Sequence, residues 1–261
     1  MTRKRLAFFA LALVFGGGLF AAAACTSADS CSSCEDVVTN IPWTAPDSQT
    51  YRLENNGKAI GTTTLSIEQE GDSFALTQAT KDDKGNSDTS VVNADAKTLK
   101  PTTTTRTITD SKQRTLFETK YESIGTDKCS AGQQETIKRS VFSPPDSTKP
   151  DSTRSIVKCV PEHAYDTDES LFLWRTISFK EGDEVTYETM AQGDKHLVTL
   201  TVDSKEQVTV PAGTFDAWKV EIASERSRQF AWFTTTPEHR LVQYANNQGQ
   251  TFLLQGDRAG R

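Results

Sequence analysis

The chain has 261 residues, 35% of them hydrophobic, and a mean hydropathy of −0.53, which suits one large β domain or two small ones. Its 29 basic and 35 acidic residues give a formal charge of −6, or −9 once Arg3, Lys4 and Arg5 leave with a cleaved leader. So acidic a body argues against nucleic acid and against electrostatic docking on anionic lipid, so membrane attachment has to be covalent.

Residues 1–24 read as an export signal: a basic start, an apolar run from Leu6 to Phe20, and small residues before Cys25. The apolar run is shorter than the ~20 residues a spanning helix needs. Ala22-Ala23-Ala24-Cys25 resembles the bacterial lipobox, whose cysteine is diacylated and becomes the mature N-terminus, with Ala22 where Leu is usual. The same residues suit an ordinary signal peptidase, which would release a soluble secreted protein. Residues 25–40 read as a polar tether. The expected location is therefore extracytoplasmic, on a bacterial membrane through an acylated Cys25, with the secreted form as the alternative.

Four further cysteines, Cys31, Cys34, Cys129 and Cys159, make an even set that favours disulfides outside the cytoplasm. Cys31-Ser-Ser-Cys34 lies in a Ser-rich stretch with no helix behind it, which disfavours redox chemistry. Cys129–Cys159 is the preferred bridge, stapling the ends of a flexible excursion over 130–158.

The folded body, 41–261, reads as a single curved β domain, with halves 41–142 and 160–256 joined by a Pro-rich loop at 142–153. Tyr51 and Leu53 alternate before Asn55-Asn56-Gly57, a hairpin signal, and Thr63, Leu65 and Ile67 share one face of the next strand. Phe74 and Leu76 begin a third strand, and the run KDDKGNSD (81–88) reads as a charged turn. The Thr-rich run 102–109 is β-branched but barely apolar, so it reads as an edge strand or one wet on both sides. Strands follow near 115–122 and 134–142.

DTDESLFLWRTISF (166–179) is the helical signal: Asp166, Thr167 and Asp168 can cap it, and Leu171, Trp174 and either Arg175 or Ile177 fall on one side. A second meander fills 184–256, with Trp218, Val220 and Ile222 alternating against Lys219 and Glu221, then Phe230 and Trp232, then Val242 and Tyr244. A sheet of roughly ten strands cannot stay flat. The predicted fold is mainly β: a strongly curved antiparallel half-barrel sheet of two meanders, with one short helix across the concave face.

The pairing of VPAGTFDAWKVEI (210–222) with AWFTTTPEHRLVQY (231–244), after YDTDESLFLWRTISFKEGDEVTY (165–187), resembles a family of exported bacterial domains of unknown function. That family is similar in build to the LolA-like half-barrel lipoprotein carriers and sensors. The resemblance implies an extracytoplasmic half-barrel and, through the LolA-like group, a hydrophobic cavity for lipid or acyl chains. It implies no reaction and no catalytic residue.

The residues point the same way on chemistry. His163, His196 and His239 are far apart in sequence, and no nucleophile elbow, zinc helix or phosphate loop is present, so no catalytic, metal or cofactor residues are assigned. The acids Asp166, Asp168 and Glu169 favour helix capping over a Ca²⁺ site. The aromatics are the better lead, with Trp43 and Phe215 beside the chosen ligand-lining set of Phe172, Trp174, Arg175, Trp218, Phe230 and Trp232. Either these residues wall a cavity or they are simply core. The leading expectation is a non-enzymatic, lipid-anchored envelope protein holding an apolar or acyl-bearing ligand. The alternative is a structural or protein-interaction module with a filled core.

Overall fold

The computed structural model describes residues 31, 33–126, 128–129, 132–225 and 227–256; the leader, Cys25 and the start of the tether lie outside them. Fifteen strands follow in chain order. The first eight are β1 (Asp47–Asn55), β2 (Lys58–Glu70), β3 (Ser73–Asp82), β4 (Ser87–Asp95), β5 (Pro101–Thr109), β6 (Arg114–Ser123), β7 (Gln133–Phe142) and β8 (Ser152–Cys159). The others are β9 (Ala164–Asp166), β10 (Glu184–Ala191), β11 (Asp194–Val210), β12 (Gly213–Ser224), β13 (Arg228–Thr234), β14 (Leu241–Ala245) and β15 (Gln250–Leu254). All belong to one sheet, in the order β8 down to β1, then β15 down to β9. The expected two meanders are thus joined where β1 pairs with β15. Every pairing is antiparallel except that of β9 with β10.

The sheet must roll up. Laid flat at about 4.8 Å per strand, it would be roughly 67 Å across. Yet its two edge strands, β8 and β9, are joined by residues 160–163 alone, a link that reaches about 18 Å at most. At this seam Val160, Ala164 and Met190 are buried together against Tyr121. The β10–β11 turn packs there too, since a Cβ on Gly193 would sit 2.9 Å from the Ile156 side chain. β8 and β9 do not pair, so the roll is not closed into a barrel.

Inside the roll one core runs from Tyr51, Leu65 and Ile67 of the first meander to Leu200, Val220, Phe233 and Phe252 of the second. The helical segment lies in it, as expected of the short helix, but spans 167–176: a 3₁₀ turn, then α1 (Ser170–Leu173), then another 3₁₀ turn. It stops short of 179 because the carbonyl of Thr176 is taken by the backbone N–H groups of Thr39 (3.0 Å) and Asn40 (3.3 Å). Among the described residues no helix is long and apolar enough to cross a membrane.

Three local expectations are corrected. The Thr-rich strand β5 is interior, hydrogen-bonded to β4 and β6, with Thr104 and Arg106 buried on the concave side. The excursion over 130–158 holds the β7–β8 hairpin, whose loop is the Pro-rich stretch, and Cys129 is bonded to Cys159 across its base, as Cys31 is to Cys34. The later part of the predicted tether is docked: Glu35 N–H donates to Thr186 O (3.0 Å), and Val37 is 1% exposed. This root lies at the end of the roll that holds the β4–β5 turn, where Lys100 stands 3.7 Å from Asp36.

Candidate functional site

The six residues expected to line one cavity are divided by the structure. Phe172, Trp174 and Arg175 are buried in the core. Trp174 Nε1 donates to Tyr187 OH (2.8 Å), and its ring centroid lies 6.2 Å from that of Tyr244. The void beside it, bounded by Gln78, Asp168 and Leu171, measures about 20 Å³, which is room for one water. Arg175 reaches Asp47 with Nη1 (3.1 Å) and the Glu238 carbonyl with Nη2 (3.1 Å), so its charge is matched inside the protein.

Phe230 and Trp232 face the other way. Residues directly opposite on paired strands share a face; Val220 stands opposite Ala231, both buried, whereas Lys219 and Glu221 stand opposite Trp232 and Phe230. Trp232 Nε1 donates to Glu206, and the Lys219 ammonium lies 4.8 Å from the Phe230 ring. Trp218 is half-buried under the Lys205 ammonium, 4.2 Å from its ring. On β13 the inward residues are Gln229, Ala231 and Phe233, so Phe230 and Trp232 lie on the outer face and do not line the interior as expected.

The open space lies instead in the first meander. A cavity of about 460 Å³ is lined by Leu53, Thr80, Ile108, Thr115 and Phe117, with the buried Asp88 and the exposed Arg139 also bordering it. Its mouth is at the β3–β4 and β5–β6 turns, the end of the roll opposite the docked N-terminal segment. The sequence explains why this part is unfilled. The inward positions of β4 and β5 include Asp88, Ser90, Thr104 and Arg106, which cannot pack as an apolar core, and the helical segment meets Arg106 through the side chain of Asp168.

Those polar groups form a latch between helix and sheet. Arg106 donates to Asp88 through Nε (3.0 Å) and Nη2 (2.7 Å), and to Asp168 through Nη1 (3.0 Å). Asp166 accepts from Thr104 Oγ1 (2.5 Å), Tyr121 OH (2.7 Å) and the Asp168 N–H (2.9 Å). Its own N–H donates to Glu169 Oε1 (2.8 Å), completing a capping box. Burial pushes the Asp168 carboxyl up to about 7; Arg106 opposes the shift and Asp166 adds to it. Burial, reinforced by Asp166, raises Glu135 to about 8 and holds Glu169 well above the carboxylate range. Burial thus favours the protonated form of both carboxyl groups, against the weaker pull of Lys158 on Glu135 and of Lys100 on Glu169.

Around the cavity itself the acids are already engaged. Asp82 accepts from the Lys84 and Asn86 N–H groups (2.9 and 2.8 Å) and from Asn86 Nδ2 (2.7 Å). Asp110 accepts from the N–H groups of Lys112 (2.7 Å) and Gln113 (2.8 Å). Arg139 is exposed and lies 5.8 Å from the Phe117 ring. Among the described residues no three His, Cys, Asp or Glu groups could hold a metal ion. His163 pairs with Asp36 at 3.3 Å, while the His239 ring lies tilted against Phe179 with the ring centroids 4.1 Å apart.

Nothing in the sequence reading selected Arg106, Asp88 or Ile108. The signal was there as charged residues at inward parity, Asp88 with Ser90 and Val92, and Arg106 with Thr104 and Ile108.

No curated protein matches the chain. Two solved structures are similar to it at low level. One is a candidate lipoprotein of Parabacteroides distasonis, with 10% identity, TM-score 0.30, and coverage of 85% of this chain and 98% of that one. The other is a candidate exported protein with a YmcC-like fold from Bacteroides fragilis, with 10% identity, TM-score 0.29, and coverage of 84% and 98%. Superpositions so weak say nothing about what this chain does. The model of a protein family of unknown function, DUF3108, matches residues 50–248, from within β1 to the β14–β15 turn, and the chain belongs to that family.

Proposed function

We propose that the protein is exported, held at a bacterial membrane by a lipid on Cys25, and receives an apolar or acyl-bearing ligand in the open cavity of its first meander. The cavity carries this reading. Its volume of about 460 Å³ falls within the roughly 300–1,000 Å³ usual for small-molecule sites. Leu53, Ile108 and Phe117 supply apolar wall, and the neighbouring acids are engaged in their own turns or with Arg106 rather than poised for catalysis. The basic start, apolar run and lipobox-like residues before Cys25 support export and anchoring.

A second reading, a structural or protein-interaction module, is favoured by the filled second half, where only about 20 Å³ remains beside Trp174. Native mass spectrometry and solvent extraction of the purified protein separate the two. A reproducible co-purified apolar molecule, lost in Ile108→Glu and kept in Trp232→Ala, supports the carrier. Ligand-free protein that also fails to take up a fluorescent fatty acid favours the module. The mass of the mature N-terminus tests the anchor, and an unmodified Cys25 would remove it.

A further inference from the structure

We infer that the cavity selects an anionic amphiphile, a single apolar tail carrying a carboxylate or phosphate head, with the head held at the mouth by Arg139 and Lys112. The inference rests on the reading that the cavity takes a ligand, and it adds the chemistry of the head.

Three observations on the cavity carry it. First, the acids are spent. Asp82 and Asp110 are each tied to two backbone N–H groups of their own turns, and Asp88 faces the Arg106 guanidinium through both oxygens. A cationic head would have to compete with those bonds.

Second, two cations at the mouth, Arg139 and Lys112, have no such commitments. Among the described residues neither Arg139 nor Lys112 has a carboxylate within ion-pair distance, although the chain as a whole is acidic. Both residues border the cavity.

Third, Arg139 sits where apolar wall gives way to water. It stands opposite Phe117 across the β6–β7 pairing, with its guanidinium over the ring and its surface exposed. A guanidinium presents paired N–H donors that match a carboxylate or phosphate. A tail laid against Leu53, Ile108 and Phe117 would bring its head to that position. Arg106, which is buried and does not border the cavity, is paired with Asp88 and Asp168, so its charge is not offered to a ligand head.

The test compares heads on one tail. Dodecanoate, dodecyl phosphate, dodecanol and dodecyltrimethylammonium are titrated into the protein at monomer concentrations by calorimetry. The expected result is binding of both anions at least tenfold tighter than dodecanol, with the cationic probe weakest. Arg139→Gln with Lys112→Gln should reduce the anions to the dodecanol level and leave dodecanol unchanged. Arg139→Lys should restore part of the preference, and because Arg139 is exposed the melting temperature should not move. Comparing dodecanoate with dodecyl phosphate then separates a fatty-acid-like from a phospholipid-like source. Equal binding of all four probes, or an anion preference that survives the double variant, overturns this inference alone. Failure of every probe, with Ile108→Glu indistinguishable from the natural protein, overturns the cavity reading and this inference with it.

Discussion

Arg106→Met is the most informative single change to the latch. It removes a guanidinium whose side chain is only 6% exposed and which bonds Asp88 twice and Asp168 once. Met replaces much of the stem but none of the charge, so two buried carboxylates lose their counter-ion, a change that costs about 3–5 kcal/mol. For a domain of this size each kcal/mol moves the melting temperature by about 2–4 °C, so the fall should be about 6–20 °C. The loss should also depend on pH. Burial raises the Asp168 carboxyl, and Arg106 is the group that draws it down. A raised carboxyl contributes stability that is full below its unfolded pKa, about 4, and is lost as pH climbs through its folded value. In the natural protein that loss for Asp168 runs from about 4 to about 7; without Arg106 it extends higher. Melts followed by circular dichroism at pH 5 and pH 8 should therefore show the larger deficit at pH 8. Adding Asp88→Asn and Asp168→Asn should recover much of it. A deficit below about 1 kcal/mol, or one equal at both pH values, would refute the buried-charge argument.

Other outcomes follow from the same geometry. Glu135→Gln should flatten the fall in stability between pH 5 and pH 8, because the natural Glu135 has to give up a proton held up to about 8. Each group of this kind contributes at most about 1.4 kcal/mol per pH unit, readable as the melting-temperature slope in the two proteins. Trp174→Ala should cost about 3–5 kcal/mol in urea denaturation, and Trp232→Ala, half-buried on the outer face, clearly less. Similar losses for the two would contradict their placement on opposite faces. Cys129→Ser with Cys159→Ser opens a bridge between residues 30 apart in sequence. The chain-entropy estimate for such a loop is about 3–4 kcal/mol, and a variant melting within a degree of the natural protein would argue against it.

Period-two alternation showed the meanders because it reports burial of one face directly. Tyr51 with Leu53, and Leu65 with Ile67, face the core as read. It failed where charge enters the roll. The run 81–88 looks like a turn throughout, yet its last member, Asp88, turns inward because Arg106, 18 residues further along the chain, neutralises it while also pairing with Asp168. β5 looks like a wet edge for the same reason, since partners for Thr104 and Arg106 come from the helical segment and from β4. Parity cannot say which face of β13 is inward, because Gln229-Ala231-Phe233 and Phe230-Trp232 both alternate. The bulkier set lost because Ala231 and Phe233 fit against Val220 and Trp218 across the pairing. The helix cap at Asp166 was legible locally, while the shortening at Thr176 came from the distant Thr39 and Asn40.

The docked start of the chain sets which end of the molecule would be tied to an anchor. Asp36 lies beside Lys100, just before β5 begins at Pro101, and β5 runs from there to Thr109 at the mouth of the cavity. Nine residues of strand put the root and the mouth about 30 Å apart. Ten residues of chain from Cys25 to Glu35 give a leash of about 35 Å at full stretch. A lipid on Cys25 would tie the rooted end to its bilayer, while a leash as long as the root-to-mouth distance leaves the mouth free to face the aqueous compartment or to tip back to the membrane beneath.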